Sequence, residues 1–188
     1  MSKEIYKNPL SREEEVTDLV LEGDADISFA EEALCLNTDE EAVLWCEKAC
    51  PSDVRIDWEF RPLKDSGAAM LHFAAKNTGV INEFILSYYV RNTPGERSFH
   101  TCKLYKNSME NLVYTSADPM AGGGEGSWYY MSVVKRGKDV FFGINNLEVM
   151  HYHDDGISFG DLLTGGIIGF GQSSGTCAMY RNFKVTWI

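Results

Sequence analysis

The amino-acid sequence predicts an all-β fold, a two-sheet antiparallel jelly-roll sandwich. Residues 54–61 alternate without a fault between apolar and charged side chains, and a period of two is that of a β-strand with one buried face. About a dozen such segments follow one another with turn residues at short, even spacing and no helical interleaving. So many strands exceed what one twisted sheet carries comfortably. The sequence contains no visible repeat of fixed period, which argues against a propeller. Two packed sheets are therefore predicted.

The elements follow from the amino terminus without a second domain. Residues 1–18 are predicted to form a short charged leading segment, in which Ser11 and Glu14 have the spacing of a capping box. Residues 19–188 are predicted to form a single sandwich domain. Strands are predicted at residues 19–21, 27–29, 33–36, 42–46, 54–61, 68–75, 84–91, 98–106, 112–115, 128–135, 139–144, 148–153, 167–172 and 178–187.

Turns and core positions follow from the same pattern. Three consecutive glycines within residues 118–127 predict a flexible rim loop. Several aromatic side chains are in phase with aliphatic neighbours, which predicts that they lie in the core. They are Trp58, Phe73, Phe84, Phe142, Phe170 and Trp187.

Composition and charge argue against several classes of function. The formal net charge of -11 disfavours nucleic-acid binding, which needs a basic patch, and disfavours anionic membrane surfaces. The first ten residues contain no apolar run, so neither a signal peptide nor a transmembrane helix is expected. Five cysteines without zinc-binding spacing are typical of reduced thiols, so we expect a cytoplasmic location.

Several sequence blocks together resemble the YesU-like domain-of-unknown-function family. The blocks are DWEFRPL at 57–63, LHFAAK at 71–76, LSYYVR at 86–91, ERSFHTCKLYK at 96–106, HDDG at 153–156 and GGIIGF at 165–170. The resemblance runs from about residue 19 to 185. It implies a sandwich of the concanavalin A-like lectin/glucanase type. It also implies a bacterial setting among genes for plant cell-wall polysaccharide breakdown, particularly of rhamnogalacturonan. It carries over no catalytic residues.

One departure from that family bears on the ligand. Its members carry a longer aromatic- and histidine-containing insertion between the second and third of these blocks, where this chain has only residues 77–83. The resemblance therefore implies either a more open groove or a different ligand.

The strand at residues 54–61 carries the first candidate site residues. Its outward side holds Arg55, Asp57, Glu59 and Arg61, with the Cα atoms of Asp57 and Glu59 about 6.6 Å apart. Such separations suit glycosidases. However, Arg55 takes the nucleophile's place in the glucanase Glu-x-Asp-x-Glu strand, so no glucanase motif is assigned. The row is either a charge ladder on a solvated face, or a groove in which Arg55 and Asp57 bind ligand and Glu59 is catalytic.

His72 is the histidine expected to face a groove, because it alternates with Leu71 and Phe73 and so lies opposite the core. With Glu59 it is the predicted catalytic pair. Four other polar or aromatic side chains are predicted to bind ligand. They are Tyr89, Arg91, Lys103 and Tyr105.

No cofactor or metal site is predicted. His151 and His153 are expected on one strand face, but the metallo-β-lactamase motif that they begin needs a histidine where this chain has Gly156. A strand end running into an Asp-Asp-Gly turn is the preferred interpretation. A structural calcium on loop carboxylates is conceivable for this fold, but no ligand spacing specifies it.

The resulting hypothesis is a carbohydrate-active protein that acts on or binds plant cell-wall oligosaccharides of the pectin or rhamnogalacturonan type in a concave groove. It is either a glycan hydrolase or lyase, or a non-catalytic lectin-like module, or an interaction sandwich without a small ligand. The fold alone does not distinguish these three functions, because this architecture occurs in lectins and enzymes alike. The oligomeric state is left open, with a homodimer as one option.

Overall fold

The computed structural model describes residues 2–64, 66–78, 82–90, 101–117 and 126–188, except for the side chain of Thr101. These residues form fifteen strands and one short 3₁₀ helix, Glu13–Glu15. The strands are β1 (Lys3–Asn8), β2 (Leu19–Gly23), β3 (Asp26–Ala30), β4 (Ala33–Asn37), β5 (Ala42–Cys50), β6 (Val54–Pro62), β7 (Ala68–Ala75), β8 (Phe84–Val90), β9 (Thr101–Lys106), β10 (Leu112–Ala117), β11 (Tyr129–Arg136), β12 (Asp139–Ile144), β13 (Leu147–His153), β14 (Gly166–Gln172) and β15 (Cys177–Trp187).

The strands form two antiparallel sheets, which confirms the predicted sandwich. The eight-stranded sheet has the order β13-β12-β11-β6-β15-β4-β3, with β1 also paired to β15. The seven-stranded sheet has the order β10-β9-β8-β7-β14-β5-β2. Consecutive strands often lie in different sheets, as β6 and β7 do, so neighbours in sequence face opposite sides of the molecule.

The core lies between the inward faces of the two sheets. Along β6 the predicted alternation holds, with Val54, Ile56, Trp58 and Phe60 buried. The Trp58 ring packs edge-on against Tyr88 of the other sheet at a centroid distance of 5.4 Å. Five of the six aromatic side chains predicted for the core are buried there. The prediction is wrong for Trp187, the last residue of β15, because its side chain is 51% exposed at the end of the strand.

The leading segment needs a correction, because it is part of the sandwich. Residues of β1 pair in register with β15 from Lys3↔Trp187 to Asn8↔Phe183, so the boundary predicted after residue 18 does not separate an appendage. The predicted capping box is also wrong. The backbone N–H and hydroxyl of Ser11 both donate to the carboxylate of Glu15, at 2.8 and 2.9 Å, instead of engaging Glu14.

Some predictions fall on residues that lie outside the described ranges. The glycine-rich loop falls mostly on 118–125, and Arg91 together with the start of the strand predicted at 98–106 falls on 91–100. Within the described ranges, the helical content is too short and too polar to provide a membrane-spanning helix.

Candidate functional site

The candidate site lies on the outward face of the seven-stranded sheet. Paired residues on adjacent strands share a sheet face, and one such row runs across five strands. Trp45 of β5 pairs with Gly169 of β14, Gly169 with His72 of β7, His72 with Ile85 of β8, and Ile85 with Tyr105 of β9. The sequence prediction that His72 faces away from the core is therefore confirmed. Its direct neighbours in the row are Gly169 and Ile85, and the row ends in the indole of Trp45 and the phenol of Tyr105.

Two strand glycines make room for a floor of aromatic rings on this face. A methyl group at Gly169 would lie 2.7 Å from the Trp45 ring, and one at Gly171 would lie 2.7 Å from Nε2 of His72. Glycine inside a strand permits such a close approach. The two rings therefore lie over β14 and meet edge to face, with centroids 5.4 Å apart.

Each ring is held in place by a glutamate. The indole N–H of Trp45 donates to Glu22 of β2 at 2.6 Å. Nδ1 of His72 lies 3.0 Å from a carboxylate oxygen of Glu83, and since a carboxylate is an acceptor, Nδ1 carries the proton and donates it. Nε2 of His72 is buried and has no hydrogen-bond partner among the described residues. One polar edge of each ring is thus directed at a carboxylate, which fixes the orientation of the ring.

A cavity of about 520 Å³ opens above this floor. Its described lining comes from the β2 and β5 edge, from β7 and β8, and from the turn that follows β9. The lining residues are Glu22, Gly23, Glu41, Ala42, Val43, Trp45, His72, Glu83, Ile85, Asn107, Ser108 and Met109. The cavity is therefore aromatic at its base and polar on its walls.

The turn after β9 is anchored by a buried ion pair. Lys106 is fully buried, and its ammonium group contacts the carboxylate of Asp154 at 2.8 Å and the carbonyl of Gly160 at 2.8 Å. Next to it Asn107 has a left-handed backbone with φ of 66°, and its amide group donates to the carbonyl of Phe159 at 2.7 Å. These contacts hold the wall that Asn107 and Ser108 contribute to the cavity.

The charged row of β6 lies on the other side of the molecule. Glu59 accepts from Nη2 of Arg181 at 2.7 Å and from the amide of Asn182 at 2.8 Å, on the outward face of the eight-stranded sheet. Because β6 and β7 belong to different sheets, the structure does not bring Glu59 together with His72. The interpretation of these two residues as one catalytic pair is therefore wrong.

Arg55 and Asp57 form a second network on that same face. Nε of Arg55 lies 2.9 Å from Asp57, and the Tyr130 hydroxyl donates to the same carboxylate. The hydrogen bond that Arg55 donates to Asp57 raises the pKa of the Arg55 guanidinium above its usual range. These groups already have protein partners, so the geometry favours the interpretation of a charge ladder on a solvated face.

The remaining ligand-binding predictions divide. The prediction that Tyr89 binds ligand is wrong, because Tyr89 is buried in the core at 1% exposure, beside Phe60. The register between β7 and β8 shifts at Ala69, which breaks the alternation on which the prediction depended. Lys103 and Tyr105 do point outward on the face that carries the cavity, and burial raises the pKa of the Tyr105 phenol, but neither residue lines the cavity.

Sequence reasoning missed the residues that build the walls and half of the floor. Trp45, Glu22, Glu41, Glu83 and Asn107 were not predicted as site residues. One local signal was available, because glycines at 169 and 171, two apart within a predicted strand, indicate close approach of side chains from neighbouring strands.

The Asp-Asp-Gly turn after β13 is confirmed. Asp155 accepts hydrogen bonds from the backbone N–H groups of Ile157 and Ser158, and Gly156 has φ of 71°. His151 and His153 share a face as expected, and both contact Asp139, at 3.0 and 2.9 Å. No cluster of histidine, cysteine or acidic side chains with metal-binding geometry occurs in the part of the chain that the structure describes.

The two packed sheets, with a cavity on one outward face, define a galectin-like sandwich. A crystal structure of a Bacillus subtilis protein of unknown function with a galectin-like fold superposes with a TM-score of 0.88. It has 34% sequence identity and covers 100% of this chain and 98% of that chain. A carbohydrate-binding module, CBM66 from Bacillus subtilis, superposes with a TM-score of 0.68 at 12% identity, covering 90% of this chain and 95% of that one.

Sequence comparison identifies the family. Residues 3–80 and 76–185 match the model of the family described as a domain of unknown function, DUF1961. The uncharacterised protein YesU of Bacillus subtilis (strain 168) is 35% identical in an alignment of 207 positions, including gaps. The alignment spans 96% of this chain and 94% of that protein. The chain belongs to the DUF1961 family, so the resemblance drawn from its sequence blocks is confirmed.

Proposed function

We propose that this protein binds carbohydrate, without transforming it, in the cavity on the outward face of the seven-stranded sheet. The observation that carries the proposal is the cavity itself, about 520 Å³ with an indole and an imidazole at its base and carboxylate, amide and hydroxyl groups on its walls. Sites for small molecules have volumes of about 300 to 1,000 Å³ and combine apolar surface with a few fixed polar groups.

The polar walls suit sugar hydroxyls. Glu22 and Glu83 each have one oxygen engaged by a ring N–H, at 2.6 and 3.0 Å, so their carboxylates are held in position. The other oxygen of each can accept a hydrogen bond from a hydroxyl group. Acceptors fixed before binding lose little conformational entropy when the ligand arrives, which favours affinity.

Binding is favoured over catalysis because His72 lacks a nitrogen that a substrate can reach. Nδ1 donates to Glu83, and Nε2 is covered, whereas a general base must come within hydrogen-bond reach of the proton that it takes. Glu59, the expected partner, is held by Arg181 on the opposite side of the sandwich. A glycan hydrolase is the second candidate, since Glu22, Glu41 and Glu83 share one cavity and such enzymes use two carboxyl groups.

The similarity to other proteins supports the class of ligand and nothing finer. One solved structure of the same fold is named as a carbohydrate-binding module. A ligand of the pectin or rhamnogalacturonan type is a proposal that follows from the family resemblance, and a cytoplasmic location is one that follows from the cysteine pattern and the polar amino terminus. A homodimer is compatible with both.

The test is binding of the purified protein to an array of plant cell-wall and other oligosaccharides, followed by mass spectrometry of each bound sugar. We expect a defined set of oligosaccharides to bind with unchanged masses. Glu41→Ala, at the rim of the cavity, should weaken binding at least several-fold, whereas Glu47→Ala, an exposed glutamate of β5 outside the lining, should not. Absence of any bound sugar would refute the proposal, and new product masses would favour the hydrolase.

A further inference from the structure

Among the residues that the structure describes, the carboxylates of the cavity have no lysine or arginine partner. The described lining contains three glutamates, Glu22, Glu41 and Glu83, and no lysine or arginine. Within this described lining, His72 is the one group able to carry a positive charge. The lining therefore has a net charge of -3 with a neutral imidazole and -2 with a protonated one.

The opposite face of the sandwich is built differently. There Asp57 is paired with Arg55 at 2.9 Å and Glu59 with Arg181 at 2.7 Å. In the cavity, by contrast, the carboxylate of Glu41 makes no hydrogen bond or ion pair to any described residue. Carboxylates without protein cations, gathered in one recess, leave acceptor capacity for donors that a ligand must supply.

From this contrast we infer that the cavity takes neutral or amine-bearing sugars and rejects uronates. The inference rests on the proposed carbohydrate-binding function and names the chemical class of its ligand. Hydroxyl and ammonium groups donate to carboxylates, whereas a uronate adds a like charge to the recess. One such charge about 6 Å from a single glutamate, at an effective dielectric constant of about 40, weakens binding about tenfold.

Lys103 does not offset this charge. It points outward on the same sheet face, but it lies four residues before Asn107, whose backbone N–H donates to the carbonyl of the lining residue Glu83. Four residues of extended chain span about 13 Å, which exceeds the screening length of about 8 Å at physiological ionic strength. The inference also restricts which parts of pectin are expected to bind. Pectic polymers have a uronate backbone and neutral side chains, and the cavity suits the neutral sugars of the side chains.

The test compares three forms of one sugar by isothermal titration calorimetry. They are the hexose oligosaccharide that binds most tightly on the array, the same compound oxidised to the carboxylate at C6, and the methyl ester of the oxidised compound. We expect the carboxylate to bind at least about tenfold more weakly than its methyl ester. That ratio should fall in 0.5 M NaCl, because salt screens exposed charges.

A variant assigns the discrimination to the cavity. Glu41→Gln should reduce the ratio between ester and carboxylate several-fold, whereas Glu47→Gln, which removes the same charge outside the cavity, should leave it unchanged. A carboxylate that binds as well as its ester, or a uronate as the tightest array ligand, would overturn the inference and leave the binding function standing. If no sugar on the array binds, both this inference and the proposed binding function are refuted.

Discussion

The glycine at position 171 offers the sharpest test of how the floor of the cavity is built. In Gly171→Ala the new methyl group would lie 2.7 Å from Nε2 and 3.0 Å from Cδ2 of His72, whereas ordinary contacts begin near 3.4 Å. The imidazole must therefore move by at least about 0.7 Å, which is enough to break its 3.0 Å hydrogen bond to Glu83. The backbone needs no special conformation here, so the effect comes from this contact.

The magnitude follows from two contributions. Overpacking a well-filled site costs about 1–3 kcal/mol, and a lost hydrogen bond to a charged group costs about 1.5–3 kcal/mol. Because the two overlap, we expect the free energy of unfolding to fall by about 3 kcal/mol, which corresponds to a melting temperature lower by about 6–12 °C. Sugar binding should be lost in the same variant.

The assay is urea unfolding with a double-mutant cycle. Gly143→Ala, on the other sheet, is the matched control. Its methyl group would lie 3.0 Å from the rotatable hydroxyl of Ser132 and at an ordinary contact distance of 3.4 Å from the backbone oxygen of Leu147, so it should cost less than about 1 kcal/mol. In a His72→Ala background, Gly171→Ala should become nearly neutral. An equal cost with and without the imidazole would refute the reasoning.

Three further predictions concern the surroundings of the site. Lys106→Met leaves the buried Asp154 without its cationic partner and should lower the free energy of unfolding by about 3–5 kcal/mol. Chemical denaturation measures this, and an effect below about 1 kcal/mol would contradict it. Hydrogen bonds from its own turn lower the pKa of Asp155 to about 2, so its contribution to stability is present above pH 4 and is lost as the pH falls toward 2. Asp155→Asn should flatten the pH dependence of the melting temperature in that interval, and an unchanged slope would count against it. Glu59→Gln breaks a partly exposed pair with Arg181 and should cost at most about 1 kcal/mol without changing sugar affinity. Calorimetry that shows lost binding would mean that the sugar site lies on the eight-stranded sheet instead.

The alternation of side chains along a strand determines some features of the site and leaves others open. It assigns side chains of one strand to two faces, so the inward and outward sets of β6 were predicted correctly, as was the outward direction of His72. It does not reveal which sheet a strand joins. Glu59 and His72 were therefore grouped, although their strands pack in opposite sheets and their side chains point to opposite sides of the molecule.

Register and bulges account for the remaining errors. Tyr89 would face outward if alternation were unbroken, but the shift at Ala69 buries it. The floor of the cavity depends on pairing between β5, β14 and β7, which are far apart in sequence. The glycines at 169 and 171 indicate a close approach, but they do not reveal that Trp45 and His72 are the side chains that meet there. The fold was predictable because each strand carries its own pattern, whereas the site arises only from long-range register.

The most direct measurement follows the indole N–H signals of the four tryptophans by NMR while the tightest array oligosaccharide is added. Trp45 lies at the base of the cavity, whereas Trp128 packs on Arg181 at 4.0 Å on the opposite face. Trp45→Phe assigns the first signal. We predict that the Trp45 signal shifts in proportion to saturation while the Trp128 signal stays in place. A shift of Trp128 with an unmoved Trp45 would contradict the assignment of sugar binding to the seven-stranded sheet.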